Sequence, residues 1–147
     1  MAKSLNIGLI GSGFMGQAHT DAYRRAGILY RNLPRTPVLY AIADQNDALA
    51  EQARGRLGFA KAYGDWRRLI ADPEVDVVDI TTPNHLHVEP ALAAIEAGKH
   101  VYCEKPMAVK VADCAAHGRR SQEGGRQDIG SLQQHEDSGG AGGQADY

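Results

Sequence analysis

Three glycines near the start of the chain, Gly11, Gly13 and Gly16 in "GSGFMG", carry the G-x-G-x-x-G spacing. That spacing suits a diphosphate. The first glycine permits a tight strand-to-helix turn. The second lets a pyrophosphate approach the main chain with no Cβ in between, and the third lets helix and strand pack closely. The helix tip behind the turn offers unpaired N–H groups and a partial positive charge. Phe14 and Met15 fill the remaining positions at that tip and complete the candidate set there. The six letters alone also fit an incidental Gly-rich turn. Their context favours binding, because they follow an apolar run and open a helical pattern.

Asp44 is the next candidate. It closes a second apolar run, "VLYAIAD", where a carboxylate can accept hydrogen bonds from both hydroxyls of an adenosine ribose. It lies 28 residues beyond Gly16 (44 minus 16), more than the usual spacing, and the Pro-containing loop from Tyr30 to Pro37 accounts for the excess. The alternative is that Asp44 caps the following helix. A ribose-binding carboxylate would repel a 2′-phosphate, and the "QN" after it brings no cation, so NAD is expected over NADP.

These residues need strands and helices to position them. "LNIGLIG" reads as a buried parallel strand. "FMGQAHTDAYRRAG" has helical spacing, with Gly27 as its expected stop. Val38 to Asp44 reads as a strand. "NDALAEQARGRLG" reads as a helix capped by Asn46 or Asp47 and closed by Gly58. Phe59 to Tyr63 is a weak strand, and Asp65 can cap the short helix "WRRLIA". "VDVVDITT" is a β-branched strand. "HVEPALAAIEAGKH" is a helix with Pro90 near its start and Gly98 past its end, and "HVYCEKP" is a fifth strand leading to a turn. Strands alternating with helices imply an α/β fold with a doubly wound parallel sheet, the NAD(P)-binding Rossmann arrangement.

Composition narrows the class. A chain of 147 residues with 43% hydrophobic and 23% charged residues suits one soluble domain. A net charge of −2 gives no reason to expect nucleic acid or an anionic membrane as partner. Cys103 and Cys114 make no disulfide framework, so free thiols and a cytoplasmic setting are expected, and no metal.

"IGLIGSGFMGQAH" and "VDVVDITTPNHLHVEPALAAIEAGKHVYCEKPMA", in that order, resemble the glucose–fructose oxidoreductase / inositol dehydrogenase / MocA family. The resemblance covers about Leu5 to Asp113. It implies a Rossmann domain followed by a substrate domain, and an enzyme moving hydride between a nicotinamide and a CH–OH carbon of a sugar, cyclitol or related polyol. It also implies that Thr82, Pro83 and Asn84 form a loop beside the cofactor. His87 would lie near the nicotinamide side, or pack locally at its helix start. Glu104 would contact the cofactor, and Lys105 would reach the substrate hydroxyl as the catalytic residue. An ammonium there can stabilise a developing alkoxide and relay its proton. His19 and His85 read as structural.

The resemblance stops where the composition changes. From His117 to Tyr147 only Ile129 and Leu132 are large aliphatics, and eight of the 17 glycines fall there. Such a segment buries too little apolar surface to offset its ordering entropy. The expected division is a dinucleotide-binding domain over 1–113 and a Gly-rich tail over 114–147, disordered or out of frame, with the last helix and strand of the fold missing. The substrate domain would be absent and the chain inactive alone; sugar or polyol would engage only if that domain were supplied. A non-catalytic nucleotide-sensing or interaction module, docking through the exposed sheet edge, is the alternative. A permissible codon choice for the tail, read one base later, gives an amphipathic helix and then "AGVKTLVAFN", a turn and strand. Sequencing the coding DNA is expected to show a one-base shift near codons 113–114 that opens this longer frame; a sequence with no such frame refutes the shift.

Overall fold

The computed structural model describes residues 3–106 and the backbone of residues 128–130. The strands are β1 (Lys3–Ile10), β2 (Arg35–Ala43), β3 (Lys61–Tyr63), β4 (Val77–Ile80), β5 (His100–Cys103) and β6 (Asp128–Gly130). The helices are α1 (Phe14–Leu29), α2 (Asp47–Leu57), α3 (Trp66–Ala71) and α4 (Val88–Glu96), with a 3₁₀ turn at Asn84–Leu86 before α4. All strand pairs are parallel, in the order β3-β2-β1-β4-β5-β6.

Alternation along the strands sends side chains to two cores. Ile10, Ala41, Ala43, Val78 and Ile80 pack with Leu69 and Ile70 of α3 and Ala91, Ala94 and Ile95 of α4. Leu9 and Ile42 face the other way, against Ala53 and Leu57 of α2 and Phe59. On that second face α1 lies beside α2, where the Arg24 guanidinium donates to the Leu57 carbonyl at 2.6 Å. Helices on both faces of a parallel sheet are the doubly wound arrangement that the alternating pattern implies.

Local chemistry sets the element ends. Asn46 caps α2, its side-chain oxygen accepting from Leu49 N at 2.9 Å, and Asp65 caps α3 through Arg67 N at 2.9 Å. Gly58 ends α2 in the left-handed conformation at φ 69°. Gly27 does not end α1. Among the described residues only Gly11, Gly58 and Gly98 have positive φ, and α1 runs on through Ile28 to Leu29. A glycine stops a helix by turning left-handed, and Gly27 keeps to the helix. β2 starts earlier than its apolar pattern, at Arg35, and includes Pro37. Proline is tolerated there because β3 pairs only with Ala41–Ala43, which leaves that part of β2 at an edge.

The expectation of a missing last strand is corrected. Asp128–Gly130 pairs in parallel with Val101–Cys103 and becomes β6. Backbone hydrogen bonding to β5 needs no periodic side-chain pattern, which is why a segment with one large aliphatic gave no signal. The expected last helix falls in residues 107–127, outside the described residues, and so do residues 131–147.

Leu69 has no exposed surface and packs in the core under α3 and α4. Leu69→Ala is expected to cost about 2–5 kcal/mol in urea denaturation, and a loss well under about 1 kcal/mol would show that this face is not tightly packed.

Candidate dinucleotide-binding site

The strands end in one row. Ile10 is in register with Ala43 on one side and with Ile80 on the other, and Ile80 is in register with Cys103. The residues that follow therefore emerge along one edge of the sheet: the glycine turn, Asp44, Thr81–Asn84 and Glu104–Pro106. Cross-strand bonds hold them. Gly11 N donates to Ala43 O at 2.9 Å, Thr81 N to Ile10 O at 3.0 Å and Glu104 N to Ile80 O at 3.0 Å. This edge lies at the carboxyl ends of the strands. Its centre is where the strand order reverses, between β1 and β4.

The three glycines have three different surroundings. Gly11 has φ 99°, and a Cβ there would sit 3.2 Å from the Thr81–Thr82 backbone. A Cβ on Gly16 would lie 2.2 Å from the Gly11 carbonyl oxygen, so only glycine lets α1 approach the turn this closely. A Cβ on Gly13 would meet nothing within 4 Å. Gly13 is the N-cap of α1, and no side-chain hydrogen bond caps that helix tip among the described residues. Phe14 is 83% exposed at that tip, with Met15 beside it at 37%.

Asp44 lies against the same turn. Its carboxylate accepts from Ser12 N at 3.2 Å, from the Ser12 hydroxyl and from Gln45 N at 2.8 Å. Asn46, not Asp44, caps α2, so capping is not what occupies this carboxylate. The Arg56 guanidinium also reaches the turn, donating to Ser12 O at 3.1 Å. Nothing in the sequence spacing linked Ser12 or Arg56 to Asp44.

On the far side of β1, the Thr82 hydroxyl is buried and has no hydrogen-bond partner among the described residues. Pro83 is the N-cap of the 3₁₀ turn that Asn84 begins, and Asn84 O accepts from His87 N at 3.3 Å. His87 has no exposed surface. Its ring nitrogens lie 2.7 Å from Thr82 O and 2.9 Å from Pro106 O. It thus sits between the loop after β4 and the turn after β5, with a carbonyl of each within hydrogen-bond distance. Lys105 is exposed on that turn, with Glu104 half-buried beside it.

Sequence reasoning missed the group behind Glu104. Asp79, fully buried on β4, accepts from the Tyr23 hydroxyl at 2.8 Å and bonds His19 Nδ1 at 2.9 Å. His19 Nε2 bonds Glu104 at 2.9 Å, and its ring stacks on Tyr102 with centroids 5.2 Å apart. Hydrogen bonding to Asp79 first, and Glu104 with it, raises the His19 pKa above the ordinary 6.5 against the pull of burial. Desolvation raises that of Asp79. Burial, with Asp79 alongside, keeps the Tyr23 phenol protonated far above its usual range. One signal was available: an aspartate in the middle of a β-branched strand requires a partner.

Residues 5–129 match the model of the oxidoreductase family with an NAD-binding Rossmann fold, GFO_IDH_MocA. The chain belongs to this Gfo/Idh/MocA family. The match extends past the motif-bearing residues to β6. Levoglucosan dehydrogenase of Pseudarthrobacter phenanthrenivorans is 53% identical over 106 residues, which is 72% of this chain and 27% of that protein. An NAD-binding oxidoreductase from Klebsiella pneumoniae is 58% identical with a TM-score of 0.85, over 87% of this chain and 34% of that one. A levoglucosan dehydrogenase solved with NADH and levoglucosan is 48% identical with a TM-score of 0.78, over 80% of this chain and 32% of that one. The chain therefore spans about a third of the length of these relatives, and the part it spans is the NAD-binding Rossmann domain of the family.

The site fits such a cofactor. Space over Gly13 and a Thr82 hydroxyl without a partner, both among the described residues, and a carboxylate beside the turn are features a dinucleotide would use. Gly13→Ala and Gly16→Ala separate the two kinds of glycine. The Gly13 variant is expected to fold with a loss no greater than about 1 kcal/mol while NADH affinity drops at least about tenfold. The Gly16 variant is expected to lose several kcal/mol or fail to fold, on the order of other forced core clashes. Equal stability of the two by thermal denaturation would contradict the packing described.

Proposed function

We propose that this chain is the cofactor-holding part of an oxidoreductase that moves hydride between NAD and a carbinol carbon of a sugar, cyclitol or related polyol. The observation that carries the reading is the convergence, on one sheet edge, of an open glycine turn, the Asp44 carboxylate and the Glu104–Lys105–Pro106 turn. The substrate class is supported by the levoglucosan and inositol dehydrogenases among the relatives. One dinucleotide-binding unit, expected over 1–113, is supported by the family match over residues 5–129, which takes in part of β6.

Bound NAD would supply the hydride-transfer chemistry. The chain's own residues do the rest. The N–H groups at the tip of α1 hold the pyrophosphate, with Gly13, Phe14 and Met15 forming the near wall. Asp44, already oriented by Ser12 and Gln45, accepts from the ribose hydroxyls and disfavours a 2′-phosphate. Thr82, Pro83, Asn84 and Glu104 border the nicotinamide half, and His87 keeps their two loops together from beneath. Lys105, exposed and next to Glu104, would take the proton of the substrate hydroxyl on its neutral amine as hydride leaves the carbinol carbon, and its ammonium would return that proton in the reverse direction. Groups that complete the substrate site would come from the part of the relatives that this chain does not span.

The alternative of an interaction module rested on an exposed edge at β5, and β6 covers that edge at Val101–Cys103. Among the described residues no helix is long and apolar enough to cross a membrane.

Titration of the purified chain with NADH, followed by nicotinamide fluorescence, is expected to saturate, with NADPH binding at least about tenfold more weakly. Asp44→Ala is expected to weaken NADH by about tenfold, the scale of charge-assisted hydrogen bonds, and to narrow the gap between the two cofactors. Absence of binding by folded protein to either cofactor, in either redox form, overturns the reading.

A further inference from the structure

Asp79, His19 and Glu104 form a line from the buried middle of the sheet to the edge where the cofactor loops converge. Asp79 has no exposed surface, while the side chains of His19 and Glu104 are 11% and 20% exposed. Charge decreases in burial cost along that line, and the imidazole is the only cation in it. Among the described residues, the groups that face His19 come from three places. Asp79 comes from β4, Glu104 from the end of β5, and Tyr102 of β5 stacks on the ring. Tyr23, one turn along α1, shares Asp79.

We propose that His19 is a positioning residue whose protonated form clamps Glu104 against the cradle and so couples dinucleotide binding to the protonation of this cluster. The inference rests on the reading of Glu104 as a neighbour of the cofactor, and it adds a regulation that reading does not contain.

The physical argument is a count of hydrogens. A charged imidazole donates from both nitrogens, one bond to Asp79 and one to Glu104. A neutral imidazole has one N–H. Asp79, the more buried carboxylate, keeps it, because a desolvated carboxylate stripped of a donor is the costlier outcome. The Nε2 lone pair then faces the lone pairs of Glu104 Oε1 at 2.9 Å, and the contact becomes repulsive. Glu104 turns away, and the turn bearing Lys105 loses its tie to α1. The same loss leaves two carboxylates near one another with no cation between them.

The titration directions agree with this account. His19 is raised by its bonds to Asp79 and Glu104, and Asp79 is raised by burial. Both shifts mean that the cluster as a unit holds its proton more tightly than isolated groups would. A histidine raised on folding stabilises the fold fully below its ordinary value of 6.5, and that contribution is lost as pH rises through the folded value. The clamp therefore opens on the alkaline side.

The test uses the full chain and NADH. Affinity is expected to fall about tenfold, within the usual range of site-to-site coupling, between about pH 6 and about pH 9. By linkage, the His19 midpoint read from imidazole NMR shifts is expected to rise on adding NADH by the logarithm of that same factor. Glu104→Gln should flatten the profile, because an amide can accept from the charged ring and donate to the neutral one. His19→Asn should bind weakly with a flat profile; should that variant not fold, the NMR measurement on the unaltered chain decides. Saturable NADH binding with an unmoved His19 midpoint overturns the clamp and leaves the cradle standing. Absence of NADH binding at every pH overturns both.

Discussion

The close approach of α1 to the turn after β1 is the constraint on which the site depends. A Cβ on Gly16 would fall 2.2 Å from the Gly11 carbonyl, so the helix can sit where it does only because that atom is missing. The Thr81 hydroxyl bonds the same carbonyl at 2.9 Å, which ties the loop after β4 into the contact. From this point the helix tip lies at the sheet edge where the loops gather, and residues further along α1 reach the neighbouring strands. His19 meets Asp79 and Glu104, and Thr20 turns its hydroxyl onto Gly16 O at 2.7 Å. Moving α1 outward would disturb the cleft and the cluster behind it together.

The polar interior follows from the parallel sheet. Strands buried on both faces leave no solvated side for a polar residue, so Asp79 must find its partners in the protein. It takes them from α1, through Tyr23 and His19, and the chain of bonds continues to Glu104. On the opposite side of β4, Val78 and Ile80 stay within the apolar core under α3 and α4. One strand thus contributes to packing on one face and to a charged cluster on the other, through adjacent residues. His87 is likewise placed between two segments, the loop after β4 and the turn after β5. Buried beneath them, it holds backbone carbonyls of both.

Sequence and structure differ where local pattern is weak or shared. Gly27 reads as a stop but lies within α1, because a glycine interrupts a helix only when surrounding contacts favour the left-handed turn. Asp128–Gly130 has a single apolar side chain and still forms β6, because an available strand edge recruits backbone whatever its side chains. The Asp44 carboxylate was legible as the end of a strand, but its bonds to Ser12 were not, since they join residues 32 apart in the chain.

The glycine spacing, the strand-ending carboxylate, the Glu-Lys-Pro turn and the alternation of strand and helix were all present in the linear sequence. Each is a local requirement: a turn without a Cβ, a period of two or of three to four, a cap before a helix. They were enough to define a doubly wound NAD-binding domain of the Gfo/Idh/MocA family. Only the folded chain decided that Ile10, Ala43, Ile80 and Cys103 end level with one another, which gathers the loops on one edge. Only the folded chain placed His19 between two carboxylates that lie 60 and 85 residues away. Register and long-range pairing depend on how strands stack side by side, and no stretch of sequence carries that information in its own periodicity.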